Sequence, residues 1–359
     1  MPALLTGREA ASLFLCIALG ATGGWVFTLI GAPMPWMLGA ITANALWCLL
    51  LPGRLNPVRF PEWLRNSFVV IIGVMIGGMF TPELLGRLPD WWPGVIALFV
   101  YTIAAQVLGY HALRRFGGYD VPTSWFGAAP GGLIESIILG EAAGGDVKTI
   151  SALHFLRIVF VIALVPLGFL VVTGEVVGSA AGVTFDPAHV AANAKDYALL
   201  IGVGAVGWAL GKRLGIPAGH IIGPILLSGA THLSGVVEAQ PPAFAVIAAQ
   251  VVIGSSLGAR FAGLTRAALI AAARLTALTA SGALLLAFGF GAMLAPLTGE
   301  RPEVYVMAFA PGGVIEMSLV ALTIGANPVF VTTHHILRIL LTVSVTPALY
   351  RRFVEGRGG

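Results

Sequence analysis

Apolar runs alternate with short polar stretches along nearly the whole chain. In the first half they lie at roughly 10–30, 33–51, 66–81, 92–113, 123–142 and 149–172. In the second they lie near 197–211, 217–236, 243–259, 267–295, 304–324 and 329–349. Runs of this length with few charges predict membrane-crossing helices. Residues 174–196 break the pattern: Glu175, Asp186 and Asp196 stand there against a single Lys195, with Gly, Pro and Asn punctuation and no apolar run. That composition predicts an exposed loop. The expected architecture is an all-α polytopic membrane protein. Residues 1–173 form a first membrane repeat, 174–196 a linker, 197–350 a second repeat and 351–359 a cytoplasmic tail.

Two of the apolar segments contain a breaker. Gly127-Ala128-Ala129-Pro130-Gly131-Gly132-Leu133-Ile134-Glu135-Ser136 returns as Ala308-Phe309-Ala310-Pro311-Gly312-Gly313-Val314-Ile315-Glu316-Met317. A helix cannot run undisturbed through Pro-Gly-Gly, because proline removes a donor and crowds the preceding turn while glycine frees the backbone. In a membrane such a break persists only where it lines a cavity or is buried in protein. The recurrence extends well beyond the motif. Gly31, Pro33 and Gly39 return as Gly215, Pro217 and Gly223, and Gly73, Gly77 and Phe80 as Gly254, Gly258 and Phe261. His154, Leu156, Arg157 and Pro166 return as His335, Leu337, Arg338 and Pro347. A spacing kept through four blocks points to a duplication.

Composition fixes the class. Hydrophobic residues make up 57% of the chain and charged ones 10%, with a mean hydropathy of +0.92. A water-facing surface needs more charge than this. The net charge of +4 does not imply nucleic acid, since Lys and Arg fall singly or in pairs between apolar runs. Their placement predicts orientation instead. Arg8, then Arg54, Arg59 and Arg65, then Arg114 and Arg115 put the N-terminus inside. In the second half the basic loops shift, with Lys212 and Arg213 after its first run and Arg260 and Arg266 after its third. The matching loops there carry Glu238, or Glu300 and Glu303 around Arg301, and Arg351, Arg352 and Arg357 again read as inside. The shift implies halves of opposite orientation, each crossing an odd number of times. One of six segments per half then makes no net crossing, and the Pro-Gly-Gly segment is the candidate, as a re-entrant hairpin or a helix broken midway. The competing reading is a parallel repeat with twelve full spans.

The candidate site gathers around the breakers: Pro130, Gly131, Gly132 and Glu135, with Pro311, Gly312, Gly313 and Glu316. A carboxylate at membrane depth costs about 2.5–3.5 kcal/mol on insertion scales and therefore marks a pathway or a partner. If the breaker opens a second half-helix, each glutamate sits near its positive end, placed to bind a cation or carry a proton. His154 with Arg157, and His335 with Arg338, share a helix face at a spacing of three. Each arginine lies too deep to snorkel and needs a partner. That partner is either an anionic substrate group or a glutamate bracing the core, within or across the halves. His334, matched by Leu153, reads as incidental. Gly73-x-x-x-Gly77 and Gly254-x-x-x-Gly258 read as helix packing, Asp146 and Asn327 as helix caps, and Cys16 and Cys48 as inert packing residues. Nucleotide-binding, metal-ligand and nucleophile motifs are absent from the sequence, so no catalytic residue, metal or cofactor is expected.

At the paired Ala-Pro-Gly-Gly-x-Ile-Glu motifs, each followed by His-x-Leu-Arg-Ile, the sequence resembles the bacterial AbrB-type membrane protein family. That family is defined by a duplicated membrane domain, and the resemblance covers nearly the whole chain. Its members are often labelled ammonia monooxygenase or regulator of gene expression, and neither label follows from residues here. The family is distantly similar to cation/proton antiporters and to bile-acid and auxin-type carriers, which share inverted repeats and crossed broken helices. Gly215-Ile216-Pro217-x-x-x-Ile221-x-Gly223-Pro224 resembles the second helix of the antiporters, whose paired aspartates have no counterpart here. The resemblance implies an inner-membrane secondary transporter working around the two breaks, with dimerisation through the first helix of each half. A membrane-embedded sensor acting through a partner protein is the alternative, and a membrane oxygenase the least supported reading.

Overall fold

The computed structural model describes residues 6–51, 60–174, 193–216, 218–262 and 266–354. Most of the predicted linker, together with Arg54, Arg59, Pro217 and Arg357, lies outside the described residues. Among the described residues every regular element is a helix. The first half holds α1 (Gly7–Leu29), α2 (Pro35–Leu50), α3 (Glu62–Gly77), α4 (Pro82–Arg87), α5 (Trp92–Gly117), α6 (Val121–Ala128), α7 (Leu133–Ala142) and α8 (Val147–Thr173). The second holds α9 (Ala194–Arg213), α10 (Gly219–Leu233), α11 (Ala243–Gly258), α12 (Arg266–Thr298), α13 (Pro302–Phe309), α14 (Val314–Thr323) and α15 (Pro328–Leu349). Among the described residues six helical stretches are long and apolar enough to cross a membrane: Gly7–Leu29, Pro82–Gly117, Val147–Val171, Ala243–Phe261, Leu269–Thr298 and Pro328–Arg352. The protein is thus of the all-α, multi-pass membrane class that hydropathy predicts.

The helices form two compact units, each drawn from both halves of the sequence. The first comprises Met1–Leu85, Pro166–Leu264 and Leu322–Gly325, and the second Gly86–Val165, Thr265–Ala321 and Ala326–Gly359. Small residues set the packing of the first unit. On α3, a Cβ at Gly77 would stand 2.5 Å from Ile225 O on α10. On α11, a Cβ at Gly258 would stand 2.6 Å from Ile41 O on α2. Each Gly-x-x-x-Gly face therefore lies directly on the backbone of a helix from the opposite half, which only glycine permits. Gly258→Val is expected to lower stability by about 1–3 kcal/mol or more, because the obstacle is backbone and cannot rotate away. Gly202→Ala on α9, with open space around it, is the control and is expected to be neutral or slightly stabilising. Thermal unfolding of the two variants in detergent checks both. Asn44 joins the same packing, its amide donating to Cys16 O at 3.1 Å and to Ser255 Oγ at 3.3 Å. Cys16 is buried beside Ser255, and both cysteines are unbridged.

The second unit holds the two breakers. Helix α6 leaves α5 through Asp120, which caps it by accepting from Thr123 N at 2.7 Å. It stops at Ala128, and Gly132, at φ 60°, starts α7. The chain then folds back. A Cβ at Gly140 on α7 would lie 3.2 Å from Phe126 Cβ on α6, and Asp146 N, just beyond α7, donates to Thr123 Oγ1 at 2.8 Å. Helices of 8 and 10 residues rise only about 12 and 15 Å, so neither spans a hydrocarbon core of about 30 Å. The first breaker thus joins two short helices folded back on each other as a hairpin. The second has the same helix lengths in α13 and α14, and α15 starts beside α13, where Tyr305 and Phe330 stack edge-on at 5.4 Å.

Helices α5 and α12 cross in this unit with opposite directions. Gly117 at the end of α5 approaches Leu275 near the start of α12. Tyr101, early in α5, packs at 6.1 Å on Phe290, late in α12. Near the start of α5, Gly94 adjoins Tyr305 and His334 of the second hairpin region, whereas Gly109 adjoins Ala128 of the first. The two hairpins accordingly enter the unit from opposite ends.

Asp146 and Asn327 both act as helix caps. Asn327 accepts from Val329 N at 2.9 Å, and Asp146 accepts from Lys148 N at 3.0 Å and from the Thr149 hydroxyl at 2.5 Å. The Thr149 hydroxyl bond, with the Lys148 amide, holds the Asp146 carboxyl below the usual carboxylate range. A depressed carboxylate contributes stability at neutral pH and loses it as pH falls through that lowered value. Asp146→Asn, which restores the residue found in the other half, is expected to be near neutral and to remove this acid dependence. Asp146→Ala is expected to cost about 1 kcal/mol. Unfolding temperature measured against pH separates the two.

Candidate functional site

A short helix ending inside a membrane leaves its last carbonyls without partners. Here the bonds of those carbonyls can be followed one by one. On α6, Trp125 O accepts from Gln106 Nε2 at 2.7 Å and Phe126 O from His154 Nε2 at 2.7 Å. Arg157 Nη1 donates to Ala129 O, and Arg157 Nε to Pro311 O at 3.0 Å. On α13, Met307 O accepts from His335 Nε2 at 2.7 Å. Arg338 Nη1 donates to Phe309 O at 2.9 Å and to Ala310 O, and Nη2 to Gly312 O at 3.2 Å. Nη2 also reaches His335 Nδ1 at 3.3 Å.

This explains the His-x-x-Arg spacing. Each histidine bonds a residue 28 positions upstream, and each arginine does the same. A step of three along α8 therefore matches a step of three along α6, as it does for α15 and α13. Each arginine lies ten residues into its helix, about 15 Å at 1.5 Å per residue, which is half the thickness of the core. The arginines sit at the depth of the hairpin tips. Arg157 is 8% exposed, Arg338 1%, and His154 and His335 not at all. A guanidinium against the carbonyl end of a helix also meets the negative end of its dipole.

The glutamates occupy the other side of each break. Glu135 is half-buried and Glu316 is 4% exposed. Both are the third residue of their half-helix, and both turn back over its start. A Cβ at Gly132 would lie 3.4 Å from Glu135 Oε2, and one at Gly313 would overlap Glu316 Oε2. Each carboxylate thus lies at the positive, N–H-rich end of a helix. The tips are seated on the last helix of the opposite half: Gly131 faces Thr342 and Ile339 on α15, and Gly312 faces Val161 on α8.

Pro130, Pro311 and Arg157 line a cavity of about 20 Å³ together with Ala105, Leu153 and Thr279. That is space for one water.

Several residues of this arrangement carry no repeated motif. Trp125 Nε1 donates to Thr346 O at 3.1 Å, and Tyr101 Oη to Ala283 O at 3.3 Å. The one signal for Gln106 is a lone amide within an apolar run, which must find a partner at that depth. His334 is fully buried, stacked on Phe330 at 4.1 Å with Trp91 and Phe309 about it. Among the described residues no three His, Cys, Asp or Glu side chains gather to hold a metal ion.

Comparison with known proteins agrees with the motif resemblance. Over 93% of its length the chain is 25% identical to "Uncharacterized protein YhjN" of Bacillus subtilis (strain 168), covering 91% of that protein. Over 98% of its length it is 24% identical to "Putative regulator AbrB" of Escherichia coli (strain K12), covering 97% of that protein. A family model described as transition state regulatory protein AbrB matches residues 36–354. With nearly the whole membrane region matched, including both breakers and both His-x-x-Arg pairs, the chain belongs to the AbrB family.

Proposed function

We propose that the protein is a secondary transporter of the bacterial inner membrane, carrying a small anionic solute by alternating access around the paired breaks. The observation that carries the reading is Arg157, which donates to Ala129 O of one break and Pro311 O of the other. It ties two re-entrant tips together at mid-depth, where carriers place their sites. Glu135 and Glu316 are the ion or proton carriers, since they are carboxylates at membrane depth that cover two positive helix ends. On this reading the halves are inverted repeats, the N-terminus is cytoplasmic and the protein works as a homodimer, without enzymatic chemistry. The opposite entry of the two hairpins and the antiparallel crossing of α5 and α12 support the inversion.

Proteoliposomes enclosing a pH-reporting dye test the transport reading. Imposed gradients of small mono- and dicarboxylates are expected to drive proton movement that Glu316→Gln abolishes. If none moves protons, or if the variant matches wild type, the carrier reading fails. A second reading, a membrane-embedded regulator acting through a partner protein, is favoured by the words "regulator" and "regulatory" in the names of the relative and the family. Its signature is altered gene expression in a deletion strain that Glu316→Gln restores as well as wild type does.

A further inference from the structure

In membrane carriers with broken helices, the unwound carbonyls and half-helix C-terminal ends are where coupling cations bind. Here those positions are the carbonyl of Ala129 at the first break and those of Phe309, Ala310, Pro311 and Gly312 at the second. All five accept from a guanidinium. We propose that Arg157 and Arg338 are resident cations: the two carbonyl cradles are cation-binding sites filled permanently by side chains, so the core closes without a metal cation. This deepens the transporter reading and depends on it for its consequence, which is coupling to protons at Glu135 and Glu316 rather than to sodium.

The chemistry of the cradles supports the assignment. A carbonyl oxygen is a hard, neutral donor suited to sodium, potassium or a guanidinium alike. The Arg338 cradle offers three such oxygens, and the Arg338 side chain is 1% exposed. A free metal ion would also meet the fixed positive charge of the guanidinium at a few ångströms, a repulsion that low dielectric makes severe. The planar fork of arginine engages several oxygens at once, where an ammonium acts as a point charge. The Arg157 fork spans both breaks, so this cation is held by each hairpin.

The test is thermal unfolding of purified protein in detergent at constant ionic strength, with choline chloride replaced by sodium, potassium or methylguanidinium chloride. Wild type is expected to unfold at the same temperature in all four. Arg338→Ala is expected to unfold at a lower temperature in choline and to be raised saturably by methylguanidinium or sodium, following RT ln(1 + [L]/Kd). Arg338→Lys, which keeps a tethered cation, is expected not to respond. Saturable stabilisation of wild type by sodium or potassium overturns the proposal, and so does an Arg338→Ala response no larger than that of wild type. If Arg338→Ala does not fold, Arg157→Ala, whose cradle has two oxygens, gives the same reading. Because no solute is involved, the salt series and the flux assay fail independently.

Discussion

Arg338→Leu is expected to lower stability by about 3–5 kcal/mol. Leucine fills part of the space but offers no donor. The carbonyls of Phe309, Ala310 and Gly312 are then left buried without the bonds they now make. Each unsatisfied buried group costs about 1–3 kcal/mol, and relaxation of the tip recovers some of the sum. Against a total stability of about 5–15 kcal/mol this is a large fraction. Arg338→Lys is expected to recover only part, since an ammonium cannot face three carbonyls in a fixed fork. The measurement is the unfolding temperature and yield of folded protein in detergent. A loss below about 1 kcal/mol for Arg338→Leu, the level of a single ordinary hydrogen bond, would show that the tip finds other donors.

The second large effect is expected at Gly313. A methyl group there overlaps Glu316 Oε2, so the carboxylate must leave the start of α14. The obstacle is the end of a flexible side chain rather than backbone, so the cost falls at the low end of overpacking, about 1 kcal/mol; the displaced group is the proposed proton carrier, so proton-coupled flux is expected to disappear with it. The equivalent change in the first half makes a useful contrast. At Gly132 the methyl group has ordinary space beside Glu135, and the obstacles are backbone at φ 60° and Val343 Cγ2 at 3.0 Å. Gly132→Ala therefore strains the turn by about 1–2 kcal/mol without displacing its glutamate. A double-mutant cycle distinguishes the two mechanisms. In a Glu316→Ala background most of the cost of Gly313→Ala is expected to vanish, whereas Glu135→Ala is expected to leave the cost of Gly132→Ala unchanged. Equal additivity at both sites would show that the Glu316 carboxylate is not what the methyl group meets.

Both predictions concern groups that the sequence itself singles out. A Pro-Gly-Gly break in apolar sequence must lie in a protected place, because freed backbone groups have no water to bond. A deep arginine must find partners for the same reason, and the repetition of His154 and Arg157 as His335 and Arg338 marks both as built features. The membrane class follows from hydropathy alone. The caps at Asp146 and Asn327 and the close-packing role of Gly77 and Gly258 follow from local rules that hold whatever the neighbouring helix is.

What the tertiary structure decided is which partner each group meets. From spacing, the guanidinium of Arg157 was as well suited to a glutamate as to a solute. The folded chain gives it the carbonyls of Ala129 and Pro311, which are main-chain atoms and leave no trace in residue types. The hairpin form of the first break was equally hidden. A straight broken helix and a re-entrant one share the same breaker, and the choice rests on contacts such as Thr123 with Asp146, which depend on where α8 begins. Gln106 and Thr346 enter the arrangement only because α5 and α15 carry them to Trp125. The sequence by itself determined the class, the repeated breaks and the groups that need partners, since these follow from the cost of burying unbonded polar atoms. The identity of the partners required the fold, because backbone carbonyls are present at every position and only geometry selects among them.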